Sequence, residues 1–497
     1  MKFKKSLAVL LLLAQMLTLS VACNNGTPGE TNAPDTTPKE TDLDRQSVSD
    51  DLPDIKFNGA NFRFTVNPDE RFELVSDDYS AEGTSAAVYN RNKTIENRFD
   101  VKITADVSSA IQGENESQWV IQALFLSNDY QYEVCDMWQR MSLELPGNYA
   151  AFYNWMEVPH INWDKPWWNK ESNEGSTFNN KMWTVTGSLS LTSLMYTYVL
   201  GYNSELLENY GVNTDELIQT VFDGNWTLDK MIETASAIYA DNGDGIPSVG
   251  DTYGFGSVPG ERTVPWVTAF GAESLVANDD DTKIISVLGS EKVYNALEKM
   301  VNLTWNNQAS TATCADVVPM TEFINGNVGL IVTQLKSCYS SFADLPFEYG
   351  LLPLPKYDAT QEGYYTEPYH DFSVFAIAAN IPEDKLEMVG VIMEALNAES
   401  WKTVYPAYYD EALKGRYSTD ETMADMIDLI VDGVKFDFAQ QCAIWLRCKV
   451  PFLFDYCIRD NTTDLASVLA EGQSNLDEML PFIRTFYDDD FTPPPME

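Results

Sequence analysis

Histidine is scarce in this sequence: among 497 residues only His160 and His370 occur, both in loop-like contexts. Seven cysteines include no CxxC pair and no Cys/His cluster, which argues against zinc. There is no GxSxG, no HExxH and no P-loop, so the local signatures of common hydrolases and nucleotide enzymes are missing. Basic residues are few, 32 against 75 acids, for a formal net charge of −43. That excess of acid disfavours nucleic acid and anionic membrane surfaces as partners and is expected mainly as a solvated acidic face. Beyond the first 23 residues no apolar run is long enough to span a bilayer, and no internal repeat is visible.

What is present is ample core material, 44% hydrophobic and 12% aromatic, enough for two lobes. The N-terminus has its own chemistry. Lys2, Lys4 and Lys5 precede the apolar run Leu7 to Leu19, and small residues lead to Cys23. Residues 1–22 therefore read as a secretory signal. Cys23 after Val21 and Ala22 resembles the lipobox of bacterial lipoproteins, whose cysteine thiol takes a diacylglycerol. Ser20 stands where that motif usually has Leu. Residues 23–51, rich in Gly, Pro, Thr and acids, are expected as a lipid-anchored flexible linker. The six later cysteines are too few for a disulfide framework in so long a chain, and several are expected in the core.

The body shows alternating strand and helix signals. "NFRFTV", "DVKITAD" and "YEVCDMW" read as strands, separated by helices on the Val88, Ile95, Phe99 face and around Trp119 to Leu126. That order predicts an α/β layer with a parallel sheet. Thr227 is expected to cap a helix over "TLDKMIETASAIYA", and Pro382 to begin another. "MYTYVLGY", "FEYGLLPLP" and "FSVFAIAA" read as further strands.

Taken together, "AVYNRNKTIENRFDVKIT", "YEVCDMW", "LGYNSELLENYGV", "GNWTLDKM", "NGDGIPSVGDTYGFG", "INGNVGLIV" and "LPLPKYDATQEGYYT" carry a resemblance over nearly the whole mature chain. It is similar to the extracellular solute-binding lipoproteins of bacterial ABC importers, the broad sugar-binding group. The resemblance implies an α/β, two-lobed periplasmic-binding-protein-like fold with discontinuous lobes and a hinge. Lobe one is expected as 55–193 and 353–378, and lobe two as 197–349 and 382–497. Crossings are expected at "LMYTYVLGYN", "EYGLLPLP" and "VFAIAANIP". The implied function is capture of a small polar solute, a sugar or oligosaccharide, for an ABC permease. The protein is expected as a monomer at the outer face of the cell membrane, without nucleic acid and without catalysis. Two other classes stay open, an extracellular glycoside-active enzyme using paired carboxylates and a lipoprotein adhesin or structural module.

The stretch "DNGDGIPSVGD" resembles a calcium loop, with Gly245 at the turn position. Asn242, Asp244, Ile246 (through its carbonyl), Ser248 and Asp251 then fall at ligand positions. Ala240 occupies the first and has no ligand oxygen, and Asp241 is one place late, expected to face away. The two readings are a weakened structural Ca2+ site and a metal-free Asn/Asp/Gly turn.

Ligands of α/β lobes sit beyond the carboxyl ends of strands. Trp138 and Arg140 follow "YEVCDM", and Tyr196 lies in the expected first crossing. Trp266 follows a lobe-two strand and turn, and Gln334 and Lys336 follow "VGLIVT". Glu82 and Thr84 precede a helix N-terminus, whose amides favour polar groups. These are the expected ligand-binding residues, while Trp167 and Trp168 are expected to pack the lobe surface rather than the cleft. For the anchor, Cys23→Ser is expected to move the protein from the membrane fraction into the medium. Identical fractionation of variant and wild type as soluble protein would count against lipidation.

Overall fold

The structure, a computed structural model, describes residues 45–77, 83–107, 116–141, 151–177, 180–258, 265–277, 284–286, 288–409, 421–436 and 450–485. Cys23, most of the expected linker, Glu82, Cys442, Cys448 and the C-terminal tail lie outside these residues. The chain divides into a unit ending at Val48, of which the turn Arg45–Ser47 is described, and a unit from Ser49 to Glu497. Residues 49–51, expected in the linker, belong to the second unit. Lys165 Nζ donates to Ser49 O at 2.7 Å and to Asp51 Oδ2 at 2.6 Å, and Arg98 pairs with Asp50.

The second unit is built on two five-stranded sheets. The first has the order β2-β1-β3-β12-β4, from β1 (Ala60–Val66), β2 (Val101–Val107), β3 (Val134–Trp138), β4 (Thr184–Val185) and β12 (Ser373–Ala376). β1 pairs parallel with β2 and β3, as the strand–helix–strand order requires. β12 arrives from the far end of the chain and pairs antiparallel with β3 and β4, so the sheet is mixed rather than parallel. Phe62, Phe64 and Val66 alternate along β1 and are fully buried. The helix Thr84–Phe99 lays Val88, Ile95 and Phe99 inward and ends at Asp100, whose φ of 50° closes the last turn.

The second sheet has the order β11-β5-β10-β7-β6, from β5 (Tyr198–Asn203), β6 (Tyr239–Ala240), β7 (Thr252–Gly256), β10 (Val328–Gln334) and β11 (Tyr349–Leu352). A separate hairpin joins β8 (Leu275–Ala277) and β9 (Ile284–Ser286). Thr227 caps the helix Leu228–Ser236 as expected, accepting from Lys230 N, and Leu228, Met231 and Ala235 are buried. Trp226 beside it is fully buried, and its Nε1 donates to Pro353 O at 3.0 Å.

The lobe boundaries differ from the expected ones in two places. Residues 353–364 pack in lobe two, through Trp226 and through Tyr364, whose hydroxyl donates to Val221 O at 2.8 Å. The helix Glu383–Glu399 packs in lobe one. There Trp167 Nε1 and Trp168 Nε1 donate to the two oxygens of Glu394, at 3.1 and 2.7 Å. Gly390 lets this helix approach Pro159, since a Cβ there would stand 1.8 Å from the Pro159 carbonyl oxygen. Trp167 and Trp168 thus pack inside lobe one rather than on its surface, because the buried Glu394 carboxylate takes both indole N–H groups.

The crossings shift accordingly. "EYGLLPLP" holds β11, which pairs with β5 inside lobe two, and "VFAIAANIP" begins within β12 inside lobe one. The first crossing runs through residues 196–198. The return runs antiparallel beside it: Tyr198 N donates to Glu367 O at 3.1 Å and Tyr369 N to Tyr196 O at 2.9 Å. The third is helical. Glu383–Glu399 continues into a π-helical turn, Ser400–Val404, and then Tyr405–Tyr408. Ser400 Oγ accepts from Arg91 in lobe one, and Val404 and Tyr408 join a core cluster that holds the lobe-two residues together with Val88 of lobe one. Pro406 has no N–H to give, which interrupts the regular ladder at this point.

Candidate functional site

Five chain segments meet where the crossing strands join the lobes. From lobe one come the turn after β1 with Asp69 and Glu70, and the end of β3 with Trp138 and Arg140. The first crossing brings Tyr196, the return brings Tyr369, His370 and Asp371, and the end of β10 in lobe two brings Gln334 and Lys336. Trp138 is half-buried, and its Nε1 donates to Glu70 Oε1 at 3.0 Å. The Arg140 guanidinium lies 4.8 Å from the centre of the Trp138 ring and pairs through Nε with Asp371 at 2.5 Å. Arg140 N also donates to His370 O at 2.9 Å, which ties the end of β3 to the return segment. His370 Nδ1 lies 3.0 Å from Asp371 Oδ1. Tyr196 meets Tyr369 edge to face at 6.3 Å, and the Lys336 ammonium stands 4.3 Å from the centre of the Tyr196 ring.

The floor of this region is acidic and buried. Glu70 and Glu73 are almost fully buried, and Asp136 on β3 is completely so. Thr192 N donates to Glu73 Oε2 at 2.9 Å, at the start of the first crossing. One Glu70 oxygen and both Asp136 oxygens are buried without a hydrogen-bond partner. Burial, against the Trp138 bond and with Asp69 and Asp371 adding repulsion, pushes the Glu70 carboxyl up to about 7. Burial likewise pushes Glu73 up to about 8, and Asp136 is raised by burial and by the charges of Glu73 and Glu70. Burial raises the Tyr196 hydroxyl, and Glu70, Glu73 and Asp371 add to it.

The structure therefore brings Trp138, Arg140, Tyr196 and Gln334 to one region, Gln334 pairing in register with Tyr198 beside Tyr196. Trp266 stands elsewhere. It is 3% exposed and stacks on Phe270 at 6.0 Å, within the lobe-two core. Thr84 is half-buried at the start of its helix. Its neighbours Gly83 and Ala86 line a separate cavity of about 270 Å³ against Glu399 and Thr403. Glu82 lies outside the described residues. Sequence reasoning missed Glu70, Tyr369, His370 and Asp371. A strand-end rule applied to β1 points to the first, but the other three come from a return segment whose partner strand is not adjacent in sequence.

The Asp241 to Asp251 loop sits apart, at the β6–β7 turn. Carboxylate oxygens of Asp241, Asp244 and Asp251 lie within 4.8 Å of one another. Asp241 does not face away as expected: its Oδ1 accepts from Gly243 N at 2.6 Å and Gly245 N at 3.1 Å. Gly243, with φ of 108°, supplies the turn that allows this. Asp251 is fully buried and accepts from Asn242 N and Ser248 N, at 2.9 and 3.0 Å. Asn242 and Ser248 bond to each other at 2.8 Å, and the Ile246 side chain points to solvent. Three convergent carboxylates on a glycine-bearing loop fit a hard divalent cation.

No family model matches the sequence, and no curated protein matches it. Solved structures do. An ABC substrate-binding protein of Listeria monocytogenes, in complex with cycloalternan, matches 85% of this chain over 100% of its own, with 12% identity and a TM-score of 0.54. The cyclic α-maltosyl-1,6-maltose binding protein of Arthrobacter globiformis matches at 13% identity, 85% and 99% coverage and a TM-score of 0.55. An ABC transporter solute-binding protein of Thermotoga lettingae, bound with α-D-tagatose, matches at 12% identity, 85% and 100% coverage and 0.53. The fold of this chain is thus the two-lobed fold of solute-binding proteins.

The buried carboxyls make stability pH-dependent. Each binds its proton more tightly folded than unfolded, where its value is near 4.5. Their contribution is complete below that value and is lost as pH rises towards about 8. Urea midpoints are expected to fall between about pH 5 and pH 8, with Glu73→Gln removing roughly 2–4 kcal/mol of that fall. A wild-type midpoint that rises over this range would contradict the assignment.

Proposed function

We propose that this chain is a cell-surface solute-binding protein. In this reading it captures a small polar solute, a sugar or oligosaccharide, between its lobes and delivers it to an ABC permease. One observation carries this: Trp138, Tyr196 and polar groups of both lobes gather at the strands that join the lobes, where a hinge closes on a ligand. The structural neighbours described above, two solved with a saccharide and one named for one, support a carbohydrate. The Cys23 anchor, an extracellular location and a monomeric state complete the proposal. It involves no catalysis.

The arrangement assigns parts. Trp138 is fixed in orientation by Glu70 and by the Arg140 guanidinium on its ring, so Arg140 acts as a positioning residue. A rigid aromatic loses little side-chain entropy on stacking against a sugar face. The Asp241 to Asp251 loop is proposed as a structural Ca2+ site held by Asp241, Asp244 and Asp251. Its work is to neutralise three crowded carboxylates and brace the β6–β7 turn.

Differential scanning fluorimetry against a panel of mono- and oligosaccharides tests the function. A true ligand at 100 times its Kd stabilises by about 2.7 kcal/mol. Trp138→Ala is expected to stay folded, melting below wild type because buried Glu70 loses the Trp138 Nε1 donor, and to bind about 30-fold more weakly. A protein indifferent to every saccharide, or a Trp138→Ala variant with unchanged affinity, would refute the corresponding part.

Calcium is tested separately. A chelator is expected to lower the melting temperature of wild type and to leave Asp244→Ala unaffected. Equal curves with calcium and with chelator would show a metal-free turn.

A further inference from the structure

We propose that Lys336 is the lobe-two residue that reads the bound solute, its ammonium group donating to an oxygen of an uncharged, hydroxyl-bearing solute that lies against Tyr196. This deepens the reading of the cleft as a solute site and rests on it. Lys336 opens the short helix Lys336–Tyr339, two residues beyond β10, and is half-buried. Among the described residues its ammonium makes no hydrogen bond and no ion pair, and it stands 4.3 Å from the centre of the Tyr196 ring.

Charge stands across from it without reaching it. Asp69, Glu70 and Asp371, the acids facing it, attract the ammonium from lobe one and the return segment, but burial outweighs them and holds its pKa below the ordinary lysine value. Asp371 is already engaged by Arg140 and His370, and Glu70 by Trp138. The lysine is therefore a partly desolvated cation that, apart from the Tyr196 ring, has no acceptor among the described residues. Such a group makes sense where a ligand supplies the missing acceptor. A hydroxyl both accepts and donates. It can take the ammonium on one side and give its hydrogen to Asp69 or Asp371 on the other. A cationic solute would meet Lys336, and an anionic one the carboxylates.

Calorimetric titration of wild type, Lys336→Met and Lys336→Arg with cycloalternan, D-tagatose and acarbose decides the matter. Lys336→Met is expected to weaken whichever of these binds by about 10- to 100-fold, with Lys336→Arg retaining part of the affinity. If Lys336→Met binds as wild type does, Lys336 has no part in recognition while the cleft reading stands. If wild type binds none of the three but does bind another saccharide of the screen, the same loss with Lys336→Met is expected for that saccharide, and an unchanged affinity overturns the proposal. If nothing binds, the cleft reading itself fails, and this proposal with it. The ligand-free melting curve adds an independent check. A lysine kept for the solute leaves Lys336→Met as stable as wild type or more so. A fall of about 5 °C or more would make it a structural contact and overturn the proposal.

Discussion

The antiparallel contact between residues 196–198 and 366–369 is the joint on which the site depends. Tyr198 N to Glu367 O, Tyr369 N to Tyr196 O and Thr366 Oγ1 to Tyr198 O hold two crossings side by side. Leu335 N donates to Thr197 O and so brings the end of β10 to the same place. Backbone bonds of this kind fix where Tyr196, Tyr369, His370, Asp371 and Lys336 emerge, whichever side chains they carry. Short paired strands that link two lobes are the kind of joint about which rigid lobes can move.

Beneath the joint the protein tolerates an expensive arrangement. Asp136 has both oxygens buried without partners, and Glu70 and Glu73 lie close enough to repel it. Burial disfavours the ionised form of all three, so each holds its proton to a higher pH than an exposed acid does. The same segment that carries Glu70 and Glu73 orients Trp138 and anchors Thr192 at the first crossing. The acids are thus part of the frame of the cleft rather than residues lining an open surface. Among the described residues only the Asp241, Asp244 and Asp251 oxygens gather within 4.8 Å, so the three floor carboxyls are spaced too widely to share a metal ion.

Much of the secondary structure was legible because it rests on near neighbours. Phe62, Phe64 and Val66 alternate, Val88, Ile95 and Phe99 share a helix face, and Thr227 meets a backbone amide three residues on. Trp138 and Arg140 were legible as strand-end residues for the same reason. Their mutual stacking was not, because it depends on Glu70 and Asp371, which lie 68 residues before Trp138 and far beyond it in the chain. Trp266 shows the opposite failure. A position after a strand and turn suits a cleft, but Phe270, one helical turn later, draws its ring into the core.

By itself the sequence determined the alternation of strands and helices and the glycine-rich turn after Ala240. Each follows from composition or from contacts a few residues long. Only the tertiary structure decided where the lobes divide, that Glu394 in a late helix serves Trp167 and Trp168 in lobe one, and that Asp241 turns into its loop. It also decided that Lys336 faces the acids of lobe one. The physical reason is chain length. These placements come from packing between segments remote in sequence, and a local pattern carries no record of which distant surface will cover it.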